Sequence, residues 1–208
     1  MIVIIDYGAG NLRSVANAVT RLGYHPKITD CSDEIINAQA LILPGVGSAA
    51  DTMANLKSMN LISPIRDFII EGKPFLGICI GLQILLTRSE EGKGCPCLDI
   101  FPGLVHELPS KFKIPHMGWN QVKQKKIHPV FDGIPNDANF YFVHSYYAKP
   151  DDESLVAGET EYGIKICSVI ANGNLVATQF HPEKSGELGL KLYDNFLKIA
   201  LGIKMNNF

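Results

Sequence analysis

A cysteine stands between two glycines in the pattern G-x-C-x-G, residues 77–81. An apolar run precedes it and a helical pattern follows, and in this strand-turn-helix context proteins hold a nucleophile on a sharp turn. A helix N-terminus below the sulfur would favour the reactive thiolate. The pattern makes Cys79 a candidate nucleophile, with a small buried side chain as the alternative.

A cysteine nucleophile needs a general base, and the segment TQFHPEKSG, residues 178–186, offers one. Residues two apart in an extended chain share a face, so His181 and Glu183 are expected to point the same way. Glu183 could then hold the imidazole tautomer that faces Cys79. The alternative is a polar loop at a strand end, and spacing alone does not show that His181 meets Cys79.

The segment PGVG, residues 44–47, ends another buried strand. Open α/β sheets bind ligands at this carboxyl edge. The glycines permit the backbone to turn an amide of Val46 or Gly47 into a site, with the amide of Ile80 as the second oxyanion donor. Alone the segment is an ordinary turn, but with the cysteine and the His-Glu pair it completes the groups needed to attack a carbonyl.

The elements that must position these residues alternate in the first half of the chain. Continuous apolar runs at 2–6, 40–47 and 73–80 predict buried parallel strands, and helical spacing follows each of them, over 81–92 after the third. This alternation predicts an α/β fold with a mostly parallel, doubly wound sheet flanked by helices.

The second half predicts a different arrangement. Short β-rich pieces separated by turns, between residues 103 and 179, indicate an antiparallel portion whose strands return to the same sheet. The segment ANGN at 171–174 is typical of a hairpin. Helical spacing returns over 186–201, and the chain contains no repeat or linker, so we expect one domain over 1–208.

Composition limits the function classes. The 19 basic and 21 acidic residues give a net charge of −2, so neither nucleic acid nor a membrane is expected as a partner. No apolar run approaches the roughly 18 residues of a membrane span, and the N-terminus lacks a signal-peptide pattern. Five scattered cysteines are typical of a cytoplasmic protein with reduced thiols. Cys95 and Cys97 are too few ligands for zinc, so no metal site is expected.

Several segments resemble a known family. The pattern G-x-C-x-G-x-Q at 77–83, HPE at 181–183 and PGVG at 44–47 resemble the motifs of class I (triad) glutamine amidotransferases. The segments PHMGWN at 115–120 and FYFVHSYYA at 140–148 are similar to those of glutaminase subunits of imidazole glycerol phosphate synthases. This likeness covers nearly the whole chain and implies the flavodoxin-like amidotransferase fold.

The resemblance also implies roles for individual residues. Cys79 would attack the side-chain amide of glutamine and form a thioester, while His181 and Glu183 would complete the catalytic triad. Gln83 and the backbone around Ser145 and Tyr146 would bind the amino-acid end of glutamine. No cofactor is implied.

The resemblance further implies a heterodimer with a cyclase subunit of (β/α)8-barrel fold. Ammonia would pass to that subunit, which makes imidazole glycerol phosphate and aminoimidazole carboxamide ribotide in histidine biosynthesis. The positions matching the family's subunit interface are Asn11, Trp119, Tyr141 and Lys184. Trp119 could equally be a core residue.

Three alternatives remain open at this point. The same glutaminase could supply ammonia to a different partner, such as one that amidates a nucleotide sugar for surface polysaccharide. A cysteine hydrolase or peptidase on a related fold is disfavoured by Gln83 and by the PHMGWN segment. A catalytically silent binding module is disfavoured because Cys79, His181 and Glu183 are all present.

Overall fold

The computed structural model describes residues 1–204. The helices are α1 (Leu12–Arg21), α2 (Ser32–Ile36), α3 (Ala49–Ser58), α4 (Ile62–Ile70), α5 (Ile80–Gln83) and α6 (Gly186–Leu201). The strands are β1 (Ile2–Ile5), β2 (Pro26–Thr29), β3 (Ala40–Gly45), β4 (Phe75–Cys79), β5 (Leu86–Ser89), β6 (Cys95–Pro96), β7 (Phe101–Glu107), β8 (His116–Gln124), β9 (Ala138–His144), β10 (Tyr146–Pro150), β11 (Val156–Glu161), β12 (Lys165–Asn172) and β13 (Leu175–Thr178). Short 3-10 turns cover Pro129–Phe131, Glu153–Leu155 and Pro182–Lys184. Within this range no helix has the length and apolar character of a membrane span.

The larger sheet has nine strands in the order β2-β1-β3-β4-β13-β12-β11-β8-β9. The first five strands in this order are parallel, and the remaining pairings are antiparallel. The mixed α/β class and the antiparallel second half predicted from the sequence are confirmed. The hairpin is also present, because Asn172 and Leu175 are paired at the turn between β12 and β13.

The parallel strands are apolar throughout because they are covered on both faces. Along β1, Val3 and Ile5 point into one core, whereas Ile2 and Ile4 point into the other. Helices α1 and α6 close the second core, while α2, α3 and α4 close part of the first. Side chains alternate along a strand, so two buried faces require a continuous apolar run.

The structure differs from the sequence prediction after the nucleophile turn. Helix α5 ends at Gln83, and residues 84–86 instead accept backbone hydrogen bonds from residues 98–101, at 2.8–3.1 Å. This pairing leads into β5 and overrides the helical spacing of residues 81–92. The strands β10-β7-β5-β6 form a second sheet, so the expectation that every later strand returns to the first sheet was wrong.

Candidate active site

Cys79 lies on the sharp turn between β4 and α5, with φ +56° and ψ −103°. Positive φ is unfavourable for a residue with a side chain and marks local strain. A Cβ atom on Gly77 would lie 2.5 Å from the Gly81 carbonyl oxygen, and one on Gly81 would collide with the carbonyl oxygen of Leu43. Both glycines are therefore required by close backbone approach around the thiol.

The His-Glu pair reaches the same edge of the sheet because β13 lies beside β4, in parallel. His181 Nδ1 lies 2.9 Å from Glu183 Oε1, and both side chains are almost completely buried. The intervening chain is a 3-10 turn beginning at Pro182, so the expected extended geometry was wrong. Proline is favoured at the first position of such a turn, which still brings the two side chains together.

The second imidazole nitrogen is available for chemistry. His181 Nε2 is buried and has no hydrogen-bond partner of standard geometry within residues 1–204. Burial lowers the pKa of His181, but its interactions with Cys79 and Glu183 outweigh this and raise the pKa to about 9. Because Glu183 accepts at Nδ1, the Nε2 side can exchange a proton with a reacting group.

A cavity of about 400 Å³ lies over the thiol. Its lining residues are Val46, Gly47, Cys79, Ile80, Gln83, Glu91, Pro115, Val143, His144, Ser145, Tyr146 and His181. The nucleophile, the base, the oxyanion candidates and the substrate-binding candidates named from the sequence thus meet at one cavity. Glu183 stands behind His181. Gly47 has φ +91°, a conformation that favours glycine.

Gln83 faces the cavity rather than solvent and is 1% exposed. Its Nε2 donates to the Tyr146 carbonyl at 2.8 Å and to Gln179 Oε1 at 3.1 Å, which leaves its buried Oε1 without a partner among the described residues. Gln179 Nε2 lies 3.6 Å from Cys79 Sγ. Sequence reasoning missed Gln179; the available signal was a polar residue directly after an apolar strand.

Glu91 lines the cavity and is a second residue that sequence reasoning missed. Its Oε2 accepts from the Ala49 amide at 2.5 Å. Burial raises the pKa of Glu91, and the Ala49 hydrogen bond opposes this shift. The helix predicted over 81–92 hid its position, because only the turn after β5 directs this carboxylate towards the cavity.

Three of the four interface candidates form an aromatic surface beside the cavity. Trp119 is 58% exposed and therefore is not a core residue. It pairs across β8 and β9 with Tyr141, with ring centres 6.1 Å apart, and Lys184 Nζ lies 5.9 Å from the Tyr141 ring centre. Asn11 lies at the start of α1, where its side chain makes no capping hydrogen bond within the described part of the chain, and α1 packs against the turn that contains Lys184.

The sequence matches the family Glutamine amidotransferase class-I over residues 3–200. It is 53% identical over 204 residues to "Imidazole glycerol phosphate synthase subunit HisH" of Dehalococcoides mccartyi, covering 98% of this chain and 100% of the relative. The protein of the same name from Moorella thermoacetica is 52% identical, covering 94% of this chain and 93% of the relative.

Solved structures share the fold at lower identity. A glutamine amidotransferase crystal structure superposes with a TM-score of 0.75 at 19% identity, covering 96% of this chain and 99% of the other. A chain of PurLQS from Thermotoga maritima gives 0.75 at 20% identity, covering 95% and 97%. The family match and the identities to relatives establish that this chain belongs to the class-I glutamine amidotransferases and, within them, to the HisH subunits of imidazole glycerol phosphate synthase.

Proposed function

We propose that this chain hydrolyses glutamine to glutamate and ammonia through a thioester on Cys79. The observation that carries the proposal is the cavity in which a strained Cys79 and a buried His181, oriented by Glu183, meet. A nucleophile, a base and an orienting carboxylate in this order are the requirements of cysteine acyl transfer.

The chemistry proceeds in two steps. The Cys79 thiolate attacks the side-chain carbonyl carbon of glutamine, the C–N bond breaks, and the leaving nitrogen takes a proton from His181 Nε2 as it departs as ammonia. His181 then accepts a proton from water, whose oxygen attacks the thioester and releases glutamate. Backbone amides of Ile80 and of Val46 or Gly47 stabilise the oxyanion in both steps.

The polar end of the cavity supports binding of an amino acid. Gln83 Oε1 is a buried acceptor with no partner among residues 1–204, and the Glu91 carboxylate lines the same space. Buried acceptors of this kind suit the α-ammonium group of glutamine, because an unpaired buried oxygen is costly. The backbone of Ser145 and Tyr146 suits the α-carboxylate.

Ammonia released here is useful only if it reaches an acceptor before escaping to solvent. The relatives' name, a synthase subunit, supports a second subunit as that acceptor. We assign it as a cytoplasmic (β/α)8-barrel cyclase that forms imidazole glycerol phosphate, docked on Trp119, Tyr141, Lys184 and Asn11. The surface adjoins the catalytic base directly, since the Tyr141 carbonyl accepts from the His181 amide at 2.9 Å. The relatives' names give no support to the nucleotide-sugar alternative.

The test is glutamate release from glutamine, measured for the chain alone and for the chain mixed with a cyclase subunit and its ribonucleotide. Strong stimulation by the cyclase and ribonucleotide together is expected. Cys79→Ala should abolish glutamine-dependent synthesis and leave ammonia-dependent synthesis by the cyclase intact.

Each failure would point to a different part of the proposal. If the cyclase gave no stimulation while a glutamine analogue still labelled Cys79, the partner assignment would be wrong and the glutaminase assignment would stand. If Cys79→Ala kept glutamine-dependent activity, the thioester mechanism would be wrong.

A further inference from the structure

Two buried histidines outside the triad form a hydrogen-bonded chain that ends at the cavity. His116 Nδ1 lies 2.8 Å from His144 Nε2, and His144 Nδ1 lies 2.9 Å from the Tyr146 carbonyl oxygen. At the other end, Asn120 Nδ2 lies 3.2 Å from His116 Nε2. The chain thus runs from β8, beside the exposed Trp119, to a residue that lines the glutamine cavity.

The partners at the two ends fix the direction of every hydrogen bond. A carbonyl oxygen only accepts, so His144 Nδ1 carries the proton and His144 Nε2 is an acceptor. His116 Nδ1 must therefore donate, and His116 Nε2 accepts from the Asn120 amide group. The second hydrogen of the Asn120 amide group is donated to the Glu161 carbonyl at 3.1 Å, so both hydrogens of this group have an acceptor.

Both imidazoles are neutral in this arrangement. Burial lowers the pKa of His116 to about 4, and burial with the neighbouring His116 lowers the pKa of His144 to about 3. The His116 ring is also stacked between Phe142 and Tyr162, with ring centres 4.8 and 4.0 Å away. The pair is therefore uncharged near neutral pH, and the hydrogen bonds it makes point to a geometric contribution.

The geometry it controls is that of the Tyr146 backbone. The Leu108 amide donates to the Ser145 carbonyl at 2.9 Å, and Tyr146 is paired with Glu107 on β7. In an antiparallel ladder this makes Tyr146 a non-hydrogen-bonded partner, so its own amide and carbonyl both point away from β7. The carbonyl on that side is held by His144 and Gln83, which fixes the direction of the Tyr146 amide as well.

We propose that Asn120, His116 and His144 form a relay of fixed polarity that positions the Tyr146 backbone to bind the carboxylate of glutamine. The inference rests on the proposed glutaminase function, and it makes the two histidines positioning residues for substrate binding. Without a donor at residue 116, His144 Nε2 becomes an unpaired buried acceptor. The ring is then released from the orientation that holds the Tyr146 carbonyl.

Substitutions at residue 116 separate this role from simple packing. His116→Phe preserves the aromatic stack but removes the donor, whereas His116→Asn loses the stack and keeps an amide donor near the position of Nδ1. For the complex with its cyclase, His116→Phe should raise the KM for glutamine roughly five- to tenfold with little change in kcat, as for loss of one hydrogen bond. His116→Asn should restore much of the affinity.

The packing control is Tyr162→Leu. This substitution removes the aromatic ring that stacks on His116 and leaves the atoms of Asn120, His116 and His144 in place. A KM increase for Tyr162→Leu or His116→Asn equal to that of His116→Phe would overturn the proposal, as would an unchanged KM in His116→Phe.

Nitrogen-15 spectra of the full chain test the polarity without any assay, so they remain informative if the wild-type complex shows no glutaminase activity. Both histidines should carry their proton on Nδ1. A proton on Nε2 of either residue would overturn the relay.

Discussion

The two halves of the fold meet at the cavity, and they hold their residues in different ways. The parallel half presents Cys79 on a turn that is constrained by covalent geometry and by backbone contacts of Gly77 and Gly81. The second half of the chain holds His181 and the Tyr146 backbone through side-chain hydrogen bonds, from Ser185 to the His181 carbonyl and from His144 and Gln83 to the Tyr146 carbonyl.

The nucleophile is thus held by a strained backbone turn, whereas the base is held by hydrogen bonds. The nucleophile turn needs no side-chain partner to hold its shape, because the glycines let strand and helix approach closely. The base depends on a chain of partners: Ser185 Oγ donates to the His181 carbonyl at 2.6 Å and accepts from the Tyr141 amide at 3.0 Å. Substitutions of Gly77 and Gly81 should therefore affect folding, whereas substitutions of the side chains that orient His181 and Tyr146 should affect chemistry and binding.

The largest expected effect tests the polar side of this comparison. Glu183→Gln keeps the side-chain shape and removes the charge that orients His181, so kcat/KM for glutamine should fall roughly 1,000-fold in the cyclase complex. The pKa of His181 should fall below its value of about 9, because one of the interactions that raise it is lost. Kinetics and an NMR titration of the His181 ring would measure both.

Glu183→Gln should also change how the free energy of unfolding depends on pH. The folded-state pKa of His181 is raised, so its stabilisation is fully present below the unfolded value of about 6.5 and is lost as pH rises towards 9. Urea unfolding of the wild type should therefore show declining stability across this window, and Glu183→Gln should flatten the decline. An equally steep decline in the variant would contradict the assignment.

The next largest effect tests the close backbone contacts at the nucleophile turn. Gly81→Ala drives a methyl group into the Leu43 carbonyl, and the stability loss should be about 3 kcal/mol or more, with loss of Cys79 labelling. Gly173→Ala is the control, because Gly173 has φ +56° but an added Cβ would meet no atom of the described chain within 4 Å. This substitution should cost only about 1 kcal/mol. Denaturant titrations of both variants would show whether the contact with the Leu43 carbonyl costs more stability than a positive φ alone.

The same division explains what the sequence could predict. The G-x-C-x-G pattern and the His-Pro-Glu segment are local, so a few neighbouring residues were enough to predict the nucleophile turn and the pairing of His181 with Glu183, although not the 3-10 turn that brings the pair together. The strand β5, Glu91 and Gln179 could not be predicted, because pairing with residues 98–101 and contacts across the sheet decide their positions. His116 gave no signal for the same reason: Asn120 lies on its own strand, but its other partners, His144, Phe142 and Tyr162, come from distant parts of the chain.

A smaller effect concerns the docking surface of the antiparallel half. Trp119→Ala should weaken binding of the cyclase subunit roughly 30-fold, about 2 kcal/mol, because exposed tryptophans are frequent anchors of interfaces. The melting temperature of the isolated chain should be nearly unchanged, since the side chain is 58% exposed. Ile127→Ala, at a fully exposed position outside the aromatic surface, is the control and should not alter the dissociation constant. Equal weakening by both variants would rule out Trp119 as an anchor.

The smallest effect measures the strain at the nucleophile itself. Cys79→Ala and Cys79→Gly both remove the thiol, so glutaminase activity is absent in each and only backbone preference differs. Glycine normally destabilises ordered structure relative to alanine, but at φ +56° the alanine Cβ carries the steric cost. Cys79→Gly should therefore be more stable than Cys79→Ala by about 1 kcal/mol, a reversal of the usual order. If Cys79→Ala were the more stable variant in urea unfolding, the turn would store no strain, and the contrast between the two halves would reduce to packing alone.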